Sequence, residues 1–323
     1  MPGSSQPERV RPPALRAGDT VGIVAPAGPI QPEALEAGCS RLRALGYNPV
    51  YSDSVLERDM YFAGSVRRRV RELHEMFERR DVRAVLCGRG GYGSNYLLPH
   101  LDLPLIRANP KIFAGCSDVT ALLTYLCDAA RMVVFHSPMA AGDFARSEGV
   151  DVDSWRAAVT SGATYQRQFS TDEVAPLAPG EAEGILYGGC LSLLCASLGT
   201  PYEIRTENAI LFVEDVNEPT YRIDRMLMQL KLAGKLEGVR GIIFGEMLNC
   251  GPAPGHTLQH VVMRVLEDVP VPVAYGLRAG HVSGGNITLP LGLQASLVVG
   301  NDVTLRYEAA VSQPPATAPV ANS

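Results

Sequence analysis

The chemistry this chain could do starts at Ser117, in KIFAGCSDVTALLTYL, where an apolar run stops and a helical pattern begins. A serine at a strand-to-helix turn is presented as hydrolase nucleophiles are, and the helix N-terminus favours negative charge developing beside it. Alone, the segment reads first as a capping serine, since serine is a preferred N-cap and Val119 stands where G-x-S-x-G would have its last glycine. A hydroxyl is a poor nucleophile near pH 7 unless a base takes its proton. Imidazole titrates in the useful range, and a carboxylate is needed to hold its tautomer. Both groups occur downstream. Glu214 ends the apolar run AILFVED, where an acid has no packing role and must find a cation or a donor. Seen alone, Glu214 and Asp215 read equally as solvated loop acids. His281 lies in the glycine-rich stretch YGLRAGHVSGGN, away from any amphipathic face.

A further loop, LCGRGGYGSNYLL, contains G-x-G-x-x-G as Gly88, Gly90 and Gly93. Three readings are open: a nucleotide-binding turn, a structural glycine turn, or a loop whose backbone N–H groups face a reacting carbonyl. The first is disfavoured because that fingerprint belongs to the first βαβ unit, and the first strand here ends in PAG. Other groups rank lower. His74 sits in a charged helix and His100 follows Pro99. His256 and His260 have the i,i+4 spacing of a zinc pair, but HTLQH lacks the glutamate of HExxH and a third ligand, so no metal is expected. Cys116 is a rival attacker beside Ser117. Glu218, Arg222, Asp224 and Arg225 read as helix-start and helix-face charges.

A serine, an acid and a histidine this far apart can meet only if strand ends converge, as they do in open α/β sheets. The chain has that rhythm. Apolar runs at 20–28, 48–52, 82–88, 112–117 and 132–137 alternate with helical patterns at 32–46, 65–80 and 118–130, which predicts parallel βαβ units. Residues 141–182 lose the rhythm and gather Ser, Thr, Asp, Gly and Pro. After them come the apolar segment ILYGGCLSLLCASLG at 185–199, apolar runs at 209–215, 241–247 and 272–277, helices near 219–236 and 257–268, and a β-rich end in which two connections are short and hairpin-like. The expectation is α/β. An N-terminal doubly wound, mostly parallel sheet domain at 17–150 carries the nucleophile, and residues 151–182 form a linker. A smaller C-terminal α/β domain with antiparallel edge strands, at 183–310, supplies Glu214 and His281. Residues 1–16 and 311–323 are expected to be disordered tails.

Composition excludes several classes. With a net charge of −5 and scattered basic residues, no nucleic-acid partner is expected. No segment approaches the roughly 18 apolar residues of a membrane span, and the N-terminus lacks the apolar core of a signal peptide. A cytoplasmic protein without membrane partners is expected. Seven cysteines, an odd number and without a CxxC pair, fit reduced core thiols rather than a disulfide framework.

Taken together, GDTVGIVAPAGP, the RGGYGS loop, GCSD before a threonine-led helix, LFVEDVNEPTYRIDRML, and the GH loop before N-x-T-LPLG make the chain resemble the LD-carboxypeptidases, serine peptidases typified by muramoyltetrapeptide carboxypeptidase. The resemblance runs from about Leu15 to Tyr307. It implies a Ser-His-Glu triad of Ser117, His281 and Glu214, and an oxyanion hole from the backbone N–H groups of Asp118 and Gly91. It also implies two domains with the site between them, and a homodimer. Ser137, in FHSPM, departs from the family's usual glycine.

The implied substrate is the small cytoplasmic murein tetrapeptide released in wall recycling, cut between the L-centre of a diamino acid and D-alanine. No cofactor is implied. The terminal carboxylate calls for a cation, for which Arg89, Arg222 and Arg278 are candidates, with Tyr92 as a neighbouring contact. Within the family, an alternative is a microcin-type immunity peptidase acting on an aminoacyl-nucleotide, with Trp155 stacking on the base. From another class, the alternative is a catalytically inactive peptide- or nucleotide-binding protein.

Overall fold

The computed structural model describes residues 8–251 and 255–313. In the first half, β1 (Thr20–Val24), β2 (Asn48–Val50), β3 (Val82–Cys87), β4 (Ile112–Gly115) and β5 (Val134–His136) lie parallel in the order 2-1-3-4-5. They are joined through α1 (Pro32–Ala44), α2 (Val66–Glu78), α3 (Leu103–Ala108) and α4 (Thr120–Tyr125), the last running on into a π turn at Leu126–Ala130. Strands covered on both faces read as unbroken apolar runs, which is why IFAG is buried at every position. The order reverses at β1 and β3, so the loops leaving these two strands diverge and open a crevice at their carboxyl ends.

The second half is built from α5 (Val152–Thr160), β6 (Tyr165–Phe169), β7 (Ala175–Ala178), β8 (Gly180–Cys190), α6 (Leu191–Ala196), β9 (Ala209–Glu214), α7 (Thr220–Leu232), β10 (Gly241–Gly245), α8 (Leu258–Val265), β11 (Val273–Leu277), β12 (Leu289–Leu291), β13 (Gln294–Val299) and β14 (Val303–Tyr307). All but β12 of these strands form an eight-stranded sheet in the order 6-14-13-8-9-10-11-7. Its centre, β8 to β11, is parallel, and both flanks are antiparallel. β12 instead pairs antiparallel with β5 and completes a six-stranded first sheet. One apolar core runs continuously through both halves.

Three expectations change. The stretch expected to be a linker contains α5, both edge strands of the second sheet (β6 and β7) and the start of β8, so the second sheet has eight strands against six in the first. Its strand β6, YQRQF, alternates exposed and covered side chains, and that polar alternation reads as loop by composition. Of the two short turns, only the one joining β13 and β14 closes a hairpin; the turn before β13 carries the chain from one sheet to the other. The tail expectation for residues 1–7 and 314–323 lies outside the described residues. Residues 8–16 are not free, because Val10 bridges Met132 and Pro13 bridges Ser312, and Arg9 pairs with Asp128 at 3.4 Å.

Candidate active site

Ser117 stands two residues past the end of β4 and holds φ at +62°. For a non-glycine residue this left-handed conformation is sparsely populated, and it persists where surrounding structure enforces it. Two contacts enforce it here. Ser94 N donates to Asp118 Oδ2 at 2.7 Å and Ser94 Oγ to the Asp118 carbonyl, tying the turn to the segment after the glycine loop. Burial raises the Asp118 carboxyl pKa, opposed by those Ser94 hydrogen bonds. Gly90 packs directly on Ser117: a side chain there would place its Cβ 2.7 Å from Ser117 Cβ and 2.8 Å from Oγ, with Asp118 N at 3.5 Å. The RGGYG loop therefore lies directly against Ser117. Its dinucleotide reading lacks support, since the loop follows β3 and leads into a 3-10 helix, Ser94–His100, rather than an α-helix that could hold a pyrophosphate.

Glu214 closes β9 and is fully buried. An isolated buried carboxylate would cost several kcal/mol; this one is met from two sides. His281 Nδ1–H donates to Oε2 at 2.8 Å, and the His281 backbone N–H donates to the same oxygen at 3.0 Å. His136 Nε2, from β5, stands 3.7 Å from Oε1. Burial raises the Glu214 pKa, but the two imidazoles outweigh it and hold the carboxyl well below its usual range. For His281, burial disfavours the cation, yet the hydrogen bond and charge of Glu214 dominate and raise its pKa above 6.5. With Nδ1 committed to the carboxylate, Nε2 is the nitrogen left to exchange a proton.

The loop that carries His281 is built for this contact. Gly280 has φ +90°, and a Cβ on it would fall 2.5 Å from Glu214 Cδ. The buried Asn286 side chain accepts from Gly280 N and donates to Gly280 O, both at 2.9 Å, fixing the loop's base. A second clamp acts on the first sheet. Arg69, 1% exposed on α2, donates to the Pro26 and Gly93 carbonyls at 2.6 and 2.8 Å, while buried Glu72 accepts from Ala25 N at 3.0 Å. Gly28 N donates to Gly90 O at 2.9 Å. The loops after β1 and β3 are thus stapled together over Ser117.

The remaining candidates separate clearly. Cys116 is fully buried, and burial pushes its thiol well up, which denies it a thiolate. Glu218 lies in the half-buried turn before α7, at 3.4 Å from Arg222, while it is Glu214 that meets the histidine. Arg222 is exposed there. Arg89 and Tyr92 line a cleft of about 590 Å³ beside Gly91. Ser137 is buried with Oγ donating to the Pro138 carbonyl at 3.0 Å. Trp155, expected as a stacking platform, is instead fully buried edge-on to Phe144, because α5 packs into the core. His256 and His260 line a separate cleft with Glu218 and Asp224, and among the described residues no three metal-ligating side chains converge. No helix among them is long and apolar enough to cross a membrane.

Sequence reasoning passed over His136 and the segment 57–62. The signal for His136 was the one used for Glu214, an ionisable group ending an apolar strand. Nothing in RDMYF marks it as part of a site.

Comparison with known proteins agrees with this architecture. Residues 21–137 match the LD-carboxypeptidase N-terminal domain and residues 183–297 the LD-carboxypeptidase C-terminal domain. The probable murein peptide carboxypeptidase of Bacillus subtilis is 38% identical over 310 residues, 94% of this chain and 96% of that protein. The microcin C7 self-immunity protein MccF of Escherichia coli is 28% identical over 320 residues, 89% of this chain and 92% of that one. The crystal structure of muramoyltetrapeptide carboxypeptidase from Oxalobacter formigenes superposes with a TM-score of 0.81 at 28% identity, covering 91% of this chain and 99% of that one. With both of its halves matched in order and a relative this similar along almost its whole length, the chain belongs to the LD-carboxypeptidase family.

Proposed function

We propose that this protein is a serine LD-carboxypeptidase that removes the terminal D-alanine from murein tetrapeptides. In this reading Ser117 Oγ attacks the carbonyl before the terminal residue while His281 Nε2 takes its proton. Glu214 holds the imidazole in the required tautomer and steadies the imidazolium. The backbone N–H groups of Asp118 and Gly91 receive the oxyanion, each such donor being worth about 10²–10³ in rate. Collapse breaks the C–N bond, His281 returns the proton to the departing amine, and water then hydrolyses the acyl-serine by the same route reversed. Arg89 and Tyr92 are substrate contacts.

The observation that carries the reading is the buried Glu214 with His281 Nδ1 at 2.8 Å, an arrangement that leaves Nε2 as the proton acceptor. The names of the Bacillus and Oxalobacter relatives support the substrate. The family resemblance supports a homodimer acting in the cytoplasm on peptides from wall turnover, and the division into a nucleophile-bearing half at 17–150 and a half at 183–310 that supplies the acid and base. An aminoacyl-nucleotide substrate, suggested by the MccF relative, loses its expected stacking residue because Trp155 is buried.

The test is to incubate the purified protein with the tetrapeptide L-Ala-γ-D-Glu-diaminopimelate-D-Ala and with its all-L terminal counterpart, measuring the freed alanine. Release of D-alanine with little release of L-alanine is expected. No D-alanine release, alongside hydrolysis of an aminoacyl sulfamoyl adenosine, would contradict it.

A further inference from the structure

The crevice opened where the first sheet reverses its strand order is not empty of chemistry. It holds the cleft of about 590 Å³ lined by Arg58, Met60, Tyr61, Arg89, Gly91 and Tyr92, among others. Met60 and Tyr61 of this wall come from the turn at 59–62. There Asp59 and Phe62 exchange backbone hydrogen bonds at 3.0 and 2.9 Å, and Met60 takes φ +53° to close the turn. Ala63 N donates to Ala27 O at 2.8 Å, so the turn is anchored to the loop after β1. Met60 and Tyr61 nevertheless stay 71% and 56% exposed, and Tyr92 44%. Tyr61 lies 6.0 Å from Tyr92, ring centre to ring centre. Firmly held aromatic surface facing a crevice is the mark of a binding wall rather than of a frayed loop.

The same wall carries two guanidinium groups. Among the described residues neither Arg58 nor Arg89 has a carboxylate within ion-pair distance; Arg89 donates only to the Pro29 carbonyl, at 3.1 Å, and neighbouring Glu57 faces Arg68. Two cations without partners next to exposed tyrosines suit an anionic ligand with a flat or apolar part.

Its place relative to the reaction follows from proton bookkeeping. His281 must stand on the leaving-amine side, since it protonates that amine. The departing residue then belongs on the His281 side, and the cleft, lined by Gly91 next to the Gly90 that packs on Ser117, is open to the acyl portion. In a murein peptide the residue preceding the diamino acid is a γ-linked glutamate, whose α-carboxylate is free.

We propose that this cleft is the acyl-side subsite, in which Arg58 and Arg89 bind a carboxylate of the peptide one residue before the diamino acid while Tyr61 and Tyr92 pack against its backbone. The proposal rests on the peptidase reading. It is tested with two tetrapeptides, one with the free glutamyl α-carboxylate and one with that group as a carboxamide, on wild type, Arg58→Ala, Arg89→Ala and the double variant. The wild type is expected to favour the free acid by about tenfold or more, through KM, as charge-assisted hydrogen bonds would give. The double variant is expected to raise KM for the acid and to treat acid and amide alike, and the wild-type preference is expected to weaken at high salt. A double variant that keeps the wild-type preference overturns the assignment alone. Absence of turnover of both peptides by the wild type overturns the peptidase reading and this inference together.

Discussion

A carboxylate as deeply buried as Glu214 persists only because its charge is answered locally, by His281 on one oxygen and His136 facing the other. The pH behaviour follows from the two shifts. Lowering the Glu214 pKa gives stability that is present above the ordinary carboxylate pKa of 4.5 and is lost as pH falls through the depressed value. Raising the His281 pKa gives stability that is full below the unfolded value of 6.5 and is lost as pH rises through the raised one. The proposed mechanism needs His281 neutral, so on that reading the acid limb of kcat/KM should sit above the ordinary imidazole value. In Glu214→Gln the carboxylate no longer favours the imidazolium, so the limb should move to lower pH while kcat falls by about 10⁴. A pH–rate profile of both proteins checks this; an unmoved limb would detach Glu214 from the titration. Ser117 and Glu214 were legible because each breaks the pattern of an apolar strand at its end. His136 does the same, but a lone histidine in an apolar run is also what an ordinary core residue looks like, and only its approach to Glu214 distinguishes it.

Three turns do the positioning: the loops after β1 and β3 and the turn after β4, cross-linked by Arg69, Ser94 and the Gly28–Gly90 hydrogen bond. Gly90 is the tightest point, for a methyl group there would meet Ser117 Oγ at 2.8 Å. Gly90→Ala is therefore expected to lower kcat by about 10² or more, the usual consequence of displacing a reacting group by about an ångström, with the melting temperature within a few degrees of wild type. Steady-state kinetics and a thermal melt measure both; unimpaired kcat would mean the loop does not confine Ser117. The parallel strands were readable as apolar runs bounded by glycine and proline. The edge strands β6 and β7 were not, because neither is a fully covered apolar run: β6 alternates polar side chains and β7 is half-buried throughout, and their composition matches that of a loop. The turn at 59–62 escaped notice because Met60 supplies the left-handed conformation that glycine or asparagine usually announces.

At the scale of the molecule, the two halves share more than a cleft. β12 leaves the second half to pair with β5, and His136 reaches from the first sheet to a carboxylate on the second. A fragment of residues 8–150 would expose the β5 edge that β12 covers, so it should be less soluble than the whole chain and should regain cooperative unfolding when co-expressed with 151–313. Circular dichroism melts of the fragment, the pair and the intact chain test this, and a fragment that melts as the whole chain does would make the β12 exchange incidental. Two α/β layers were legible from the rhythm of runs and helices, whereas a three-residue strand lent from one sheet to the other leaves no periodic trace. The central claim is that Ser117, His281 and Glu214, drawn from both sheets, act as one unit. It is tested most directly by D-alanine release from the tetrapeptide by wild type, Ser117→Ala, His281→Ala and the double variant. Each single change should cost about 10⁴ or more, and the double should cost no more than the worse single, as residues acting together do. Losses that simply multiply, or wild-type release by Ser117→Ala, would contradict the account.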